Sequence, residues 1–181
     1  MKIYVVNGAP GAGKTTFENM INELTDNCSI ISTIDPIKER AFLFGWNGEK
    51  DAKGRKLLSD LKRAWVEYGD QPYTWLKEIF KFAHYARIDA IFIDCREPDE
   101  IKEICKRFGA KSLIIRRATA ENSETSNDSD KNVLNYDYDI VIKNNGSKYE
   151  LAIAAEDFVE KEEIPKIQGP YCINLFGEII K

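Results

Sequence analysis

The sequence predicts an α/β domain: a five-stranded parallel sheet covered by helices on both faces. Three observations predict it. Short β-branched or aromatic runs alternate with helical patterns five times, and such alternation means parallel strands joined by right-handed crossovers. The stretch 88–94, with Ile88, Ala90, Ile91, Phe92 and Ile93, is almost continuously apolar, as a strand covered on both faces must be. Chemistry-bearing residues also fall just after each strand, where a parallel sheet gathers its ligand. They are residues 8–15 after the first, Asp35 and Lys38 after the second, Asp94 and Arg96 after the third, and Arg117 after the fourth.

Residues 2–7 make the first strand. The turn that follows, Gly8, Ala9, Pro10, Gly11, Ala12, Gly13, Lys14 and Thr15, fits the pattern G-x-x-x-x-G-K-[ST] of a phosphate-binding P-loop, with Thr16 next in the chain. Glycines let the backbone curl so that its N–H groups point inward, with no Cβ between them and phosphate oxygens. The helix opening at Lys14 adds its positive dipole end. Lys14 is expected to reach the β- and γ-phosphates and the Thr15 hydroxyl to ligate Mg²⁺. A nucleoside triphosphate site taking ATP and Mg²⁺ is the expectation.

Phe17, Met20, Ile21 and Leu24 give the first helix its spacing, and residues 28–34 read as the second strand. Asp35 stands where an N-cap belongs and Pro36 suits a first helical turn, with Ile37, Ala41, Phe42 and Phe44 carrying the helix to about residue 45. Residues 51–68 are helical and basic, with Lys53, Arg55, Lys56, Lys62 and Arg63 interleaving Leu57, Leu58, Leu61 and Trp65. Residues 69–72 break that helix. Trp75, Leu76, Ile79, Phe80 and Ala83 pattern another over 73–86. After the third strand, 98–108 is amphipathic and stops at Gly109, a good C′ residue. The fourth strand, 112–115, closes on Arg116 and Arg117. Residues 118–130 are polar without apolar period and read as a mobile loop. The fifth strand is 138–142, and Ser147 with Glu150 forms a capping box for a last helix to about residue 161. The tail is too apolar to hang free: Ile164, Ile167, Tyr171, Ile173, Leu175, Phe176, Ile179 and Ile180 are expected to pack on the domain or across a homodimer interface.

Asp94 ends an apolar strand, the setting of an acidic residue that holds Mg²⁺ beside a P-loop, although a plain strand-ending aspartate has the same setting. Arg96 offers a planar fork for the acceptor's phosphate or the transferring one. Lys38 favours an anionic acceptor. Asp35 could orient a hydroxyl, an amine or metal-held water, or serve only as a cap. The basic helix is either a solvated face or part of a segment closing on the acceptor. Arg117, at the mouth of the polar loop, could act as a cis arginine finger. Trp46, Trp65, Trp75, Tyr73 and Phe80 suit a core more than a base-stacking platform, and His84 lacks triad partners. No D-x-x-G follows a strand and no N-K-x-D occurs, which disfavours a GTPase switch.

At 181 residues with net charge −4, the chain is sized for one cored domain, and its acidity argues against broad nucleic-acid binding. No run is long and apolar enough for a membrane span, and the start shows no signal-peptide pattern. Cys28, Cys95, Cys105 and Cys172 lack C-x-x-C spacing, so free thiols in a reducing cytoplasm are expected.

The order of these pieces resembles the deoxynucleoside monophosphate kinases of bacteriophages and, more loosely, the animal-type phosphomevalonate kinases, both of the nucleoside monophosphate kinase fold. The resemblance runs from Ile3 to about Phe158. It rests on residues 8–16, on Asp35, Pro36, Ile37 and Lys38 opening a helix, and on Asp94, Cys95 and Arg96 followed by Glu97, Asp99 and Glu100. It continues through Arg117, Ser129 and Asp130 to residues 138–147, Glu150 and Leu151; the family usually has Ser-Glu where this chain has Ser129-Asp130. The resemblance implies transfer of the γ-phosphoryl of ATP to a (deoxy)nucleoside monophosphate, with Arg96 and Lys38 on the acceptor phosphate and Arg117 serving a lid. It divides the chain into a kinase domain, 1–162, with an acceptor-binding helical insertion at about 36–87 and a lid loop at about 117–131, followed by the tail, 163–181. Rival readings keep the chemistry on another phosphorylated metabolite, keep nucleotide binding without turnover, or phosphorylate nucleic-acid ends. The acidic charge disfavours the last.

Overall fold

The computed structural model describes residues 1–49, 51–121 and 133–180. These fall into two compact units, one of Met1–Ile30 with Arg87–Lys181 and one of Ile31–Ala86.

The larger unit is built on the central strand β1 (Lys2–Asn7). It pairs in parallel with β3 (Ala90–Asp94) on one side and β4 (Lys111–Arg116) on the other, and β4 pairs in parallel with β5 (Ile140–Lys143). With β2 (Cys28–Ser32) outside β3, the sheet order is β2-β3-β1-β4-β5. The register sets Val6 beside Asp94 and Asn7 beside Ile114, so β1 and β3 end within a residue of each other and β4 runs on past them to Arg116. Helices α1 (Lys14–Leu24), α5 (Pro98–Phe108) and α7 (Lys148–Lys161) belong to this unit. One core joins β1, β3, α1 and α7: Tyr4 stacks on Phe92 at 5.1 Å between ring centroids, and Phe158 meets Tyr4 edge-on at 5.1 Å and Phe17 at 5.6 Å. Each such ring, removed from water, stabilises the fold by about 2–3 kcal/mol before entropy is counted.

Element ends depart from the expected ones where a side chain takes over a backbone group. Strand β2 stops at Ser32, short of residue 34, because the Asp35 carboxylate accepts the Ser32 N–H at 2.7 Å. Asp35 is the first residue of its helix, and the N-cap is Ile34, without a side-chain cap. Strand β5 begins at Ile140, two residues late, because the Asp139 carboxylate is occupied by the Ser112 N–H and hydroxyl at 2.8 and 2.7 Å. The polar stretch after β4 opens with a single helical turn, α6 (Ala118–Glu121), held by a two-pronged Arg116–Glu121 pair at 3.0 and 2.8 Å. Most of the expected lid, 122–131 with Ser129 and Asp130, lies outside the described residues.

Ser147 and Glu150 form both halves of the capping box on α7. Beyond α7 the tail turns back onto the same core: Ile164 is buried in it, and Tyr171, Ile173 and Ile179 pack against it. Its two short strands, β6 (Cys172–Ile173) and β7 (Ile179–Ile180), pair antiparallel, while Leu175 and Phe176 between them are exposed. At the amino end of the sheet, Glu162 accepts hydrogen bonds from Tyr4 (2.9 Å), from Lys111 (2.7 Å) and, through its carbonyl, from Lys2. All four cysteines are free thiols.

The second unit holds α2 (Asp35–Leu43), α3 (Ala52–Tyr68) and α4 (Tyr73–Tyr85). Asp51 caps α3 by accepting the Gly54 N–H at 2.7 Å, and Gly54 is required because a Cβ there would meet the Glu49 carbonyl and the Trp46 indole. On the basic helix, Asp60 binds Lys56 at 2.6 Å and Arg63 at 2.8 Å on the solvated face. Ile37, Ala41, Leu76 and Ala83 are buried, whereas Phe42, Leu43 and Phe44 are exposed. Among the described residues, no helix is long and apolar enough to cross a membrane.

Candidate functional site

The site grows from the end of β1. Asn7, fully buried, turns its side chain to both sides of the strand end. Its Oδ1 accepts the Gly8 N–H at 2.8 Å, and its Nδ2 donates to the Tyr138 hydroxyl at 2.7 Å and the Arg96 carbonyl at 3.3 Å. Tyr138 in turn donates to the Val133 carbonyl at 2.8 Å, and burial pushes its phenol up to about 12. This chain of bonds ties the glycine loop, the turn after β3 and the segment before β5 into one piece.

The loop needs its glycines. Gly8, Gly11 and Gly13 have φ of +152°, +80° and +100°, values that side-chain-bearing residues rarely adopt. A Cβ on Gly8 would stand 2.6 Å from the Ile115 carbonyl, and one on Gly13 would run into the Asn144 amide. Asn144, just past β5, donates from Nδ2 to the Ala12 carbonyl at 2.8 Å, and its own N–H bonds to Arg116 O at 2.8 Å. The loop is thus clamped from β1 and β5 with its curved backbone set. Lys14 folds over it and donates to the Gly8 carbonyl at 2.7 Å. Thr15 is exposed at the first turn of α1, and Thr16 beside it is half-buried. Ala9 and Ala12 are buried and Pro10 exposed.

Asp94 ends β3, half-buried, with the exposed Arg96 two residues on. Between them Cys95 is buried, and its thiol donates to Glu100 Oε1 at 3.2 Å. Arg117 is half-buried directly after β4, and its carbonyl accepts the Ala120 and Glu121 N–H groups that start α6. Its neighbour Arg116 is committed to Glu121. Asp35 and Lys38 lie in the second unit, bonded to each other at 2.8 Å (Lys38 Nζ to Asp35 Oδ1).

A further group stands out. Glu18, one turn after Lys14 on the buried side of α1, is 2% exposed, and its Oε1 accepts no hydrogen bond. Burial first, then the negative charge of Asp94, push its carboxyl up to about 8, against the pull of the Lys14 cation. Asn7, Tyr138, Asn144 and Glu18 all escaped the reading from sequence, except that 138 and 144 sit in a stretch quoted for its resemblance. Glu18 left no signal either: one position past Phe17, it falls about 100° around the helix, beside the stripe of Phe17, Met20, Ile21 and Leu24.

The donor set fits a hard divalent cation held jointly with phosphate oxygens. Thr15 offers a hydroxyl, Asp94 a carboxylate, and Glu18 a buried oxygen that accepts no hydrogen bond. Among the described residues no group of three or more His, Cys, Asp or Glu comes together, so a closed all-protein cage is not what these residues form.

No protein-family model matches the chain, and no curated protein matches it. Solved structures similar to it at a distance include two kinases. The shikimate kinase of Aquifex aeolicus is 16% identical with a TM-score of 0.45, covering 91% of this chain and 99% of its own. A variant of the Mycobacterium tuberculosis APS kinase is 10% identical with a TM-score of 0.42, covering 90% of this chain and 96% of its own. Likeness this remote leaves the chemistry to be argued from the residues themselves.

Proposed function

We propose that this chain is an ATP-dependent small-molecule kinase that transfers the γ-phosphoryl group to the phosphate of a (deoxy)nucleoside monophosphate, giving the diphosphate and ADP. One observation carries the kinase reading: the clamped glycine loop, whose positive-φ glycines open its backbone to close approach and whose following helix begins with Lys14 and Thr15. Loop N–H groups and the α1 dipole would receive phosphate oxygens. Lys14 would leave the Gly8 carbonyl for the β- and γ-phosphates, a short move for a flexible side chain. Thr15 and Asp94 would hold Mg²⁺, which when bound neutralises charge on the transferring group. Arg96, exposed past β3, would bind the acceptor phosphate in bidentate fashion, and Arg117 would serve the loop that follows it. Lys38 and Asp35 are assigned to acceptor binding by the family resemblance, which also supports the choice of a nucleotide as acceptor. Catalysis by such a set is positioning and charge neutralisation, with no covalent intermediate.

The test is ATP consumption across all ribo- and deoxyribonucleoside monophosphates, with phosphomevalonate and other phosphorylated metabolites alongside. Turnover with one or a few nucleoside monophosphates is the expected result. Turnover only with another metabolite moves the acceptor, and tight ATP binding without transfer to any acceptor makes the chain a nucleotide-binding protein without turnover. The Lys14→Ala variant is expected to lose nearly all turnover, and an unchanged rate would sink the P-loop assignment. Arg96→Ala is expected to raise KM for the acceptor or lower kcat by a factor of about 100 or more, the scale of losing a positioned charge at a reacting phosphate. If it lowers only the melting temperature, Arg96 is structural.

A further inference from the structure

A carboxyl buried beside a hydrophobic stripe needs a reason. On α1, Phe17, Met20, Ile21 and Leu24 are buried in the core, and Glu18 is buried beside them with one oxygen that accepts nothing. Burying a carboxyl with an unmet oxygen costs stability whether it is ionised or protonated, and no packing role for Glu18 repays that. An alanine or leucine would fill the position without that cost. What surrounds Glu18 is charge: Lys14 one turn earlier on the same helix, and Asp94 at the end of β3. Burial and the negative charge of Asp94 favour the protonated form of Glu18, Lys14 opposes them, and Lys14 is the group expected to turn toward the phosphates.

We propose that Glu18 supplies a second carboxylate to the divalent-cation site at the foot of the glycine loop, alongside Asp94 and the Thr15 hydroxyl. The inference rests on the nucleotide-and-Mg²⁺ reading of that loop. It adds a residue that the P-loop pattern does not specify. Glu18 sits at the third position past Thr15, on the buried side of α1, and is near enough to Lys14 and Asp94 to feel both charges, while Thr15 is exposed at the helix start. Its role is to retain and orient the cation, not to touch the transferring phosphoryl group; it is a positioning residue. In a poorly hydrated setting a carboxylate interacts strongly with a divalent ion, so binding the ion would draw the proton from Glu18.

The experiment uses the whole chain with ADP and Mn²⁺ as probes. ADP affinity is first measured by calorimetry in EDTA, and Mn²⁺ is then titrated into the protein–ADP complex and followed by its electron paramagnetic resonance signal. Glu18→Gln keeps the shape and removes the charge. It is expected to bind metal-free ADP at least as well as the native chain and to hold Mn²⁺ about tenfold or more weaker, the scale seen when a group supporting a metal site is lost. Mn²⁺ affinity within about twofold of native, with ADP still bound, overturns the proposal and leaves Glu18 a buried carboxyl of the core. Native protein that binds no ADP, with or without metal, overturns instead the nucleotide reading on which the proposal stands. Should Glu18→Gln fail to fold, Glu18→Asp keeps the charge but withdraws it by one methylene. That variant is expected to lose Mn²⁺ affinity with metal-free ADP affinity unchanged, and equal Mn²⁺ affinity overturns the proposal.

Discussion

Asn144 and Gly13 are coupled, and a double-mutant cycle measures by how much. Asn144 is 6% exposed and donates to the buried Ala12 carbonyl at 2.8 Å, while a Cβ on Gly13 would collide with that same amide nitrogen. Asn144→Ala strips the Ala12 carbonyl of its partner and is expected to cost about 1–3 kcal/mol, the penalty for a buried acceptor left unmet. Gly13→Ala meets two obstacles. Its φ of +100° strains any residue with a Cβ, and the new methyl must displace the Asn144 amide. Backbone strain of about 1–2 kcal/mol and overpacking of about 1–3 kcal/mol make the single variant the more damaging one. In the double variant the collision is gone, and the backbone strain and the unmet Ala12 carbonyl remain. The combined loss is therefore expected to fall short of the sum of the singles by about 1–3 kcal/mol, read from urea denaturation of the four proteins. Additivity within about 0.5 kcal/mol would refute the clamp, since it is what independent sites give. The same four proteins titrated with ADP are expected to rank in the order of their stabilities, because a slack loop must be ordered again on binding.

Two other expected outcomes concern the opposite end of the sheet and the tail. Burial acts on Glu162 to raise its pKa, but Lys111, Tyr4 and Lys2 outweigh it and hold the carboxyl below its ordinary 4.5. The stability it contributes is thus complete above that value and is lost as pH falls through the lower, folded one; Glu162→Gln is expected to flatten the acid limb of a stability-against-pH curve, and an unchanged limb would show the network to be idle. Ile164, 3% exposed within the main core, is expected to cost about 2–4 kcal/mol when cut to alanine, seen as a lower urea midpoint; a loss below about 1 kcal/mol would mean the tail is a loose cover.

The fold was legible where burial and period say the same thing. Strand β3 reads as a run of apolar residues because both its faces are covered, and α5 reads from its spacing, its Pro98 start and its Gly109 stop. The start of α7 was equally plain, since a capping box is a local contract between Ser147 and Glu150. The errors share a cause. At Ser32 and at Asp139 a carboxylate from elsewhere in the chain or a few residues on takes a backbone N–H or carries its own bonds sideways, and no count of apolar residues reveals that. The turn α6 depends on Arg116 and Glu121 finding each other five residues apart, a pairing that polar composition alone hides.

The site divides along the same line. A glycine loop announces itself because its demands are local: positive φ, no Cβ, a lysine at the helix start. Its support is not local. Asn7 and Tyr138 are 131 residues apart, and Asn144 reaches Ala12 across 132. Each looks in sequence like an ordinary turn or strand-end residue, and each becomes informative only when the sheet order sets β1, β4 and β5 side by side. Glu18 is a different case. It stands beside the apolar stripe of α1, where period alone reads it as a solvated position, and only its burial makes its charge informative. An exposed glutamate there would be unremarked; a fully paired one would be structural. Because it is buried with an oxygen that accepts nothing, and burial and Asp94 favour its protonated form against the pull of Lys14, its carboxyl is a cost to the fold that a cation in the site would offset by taking the place of the proton. The metal-retention experiment therefore tests more than one residue. It tests whether the chain gives up stability at the foot of its loop in order to hold a cation there.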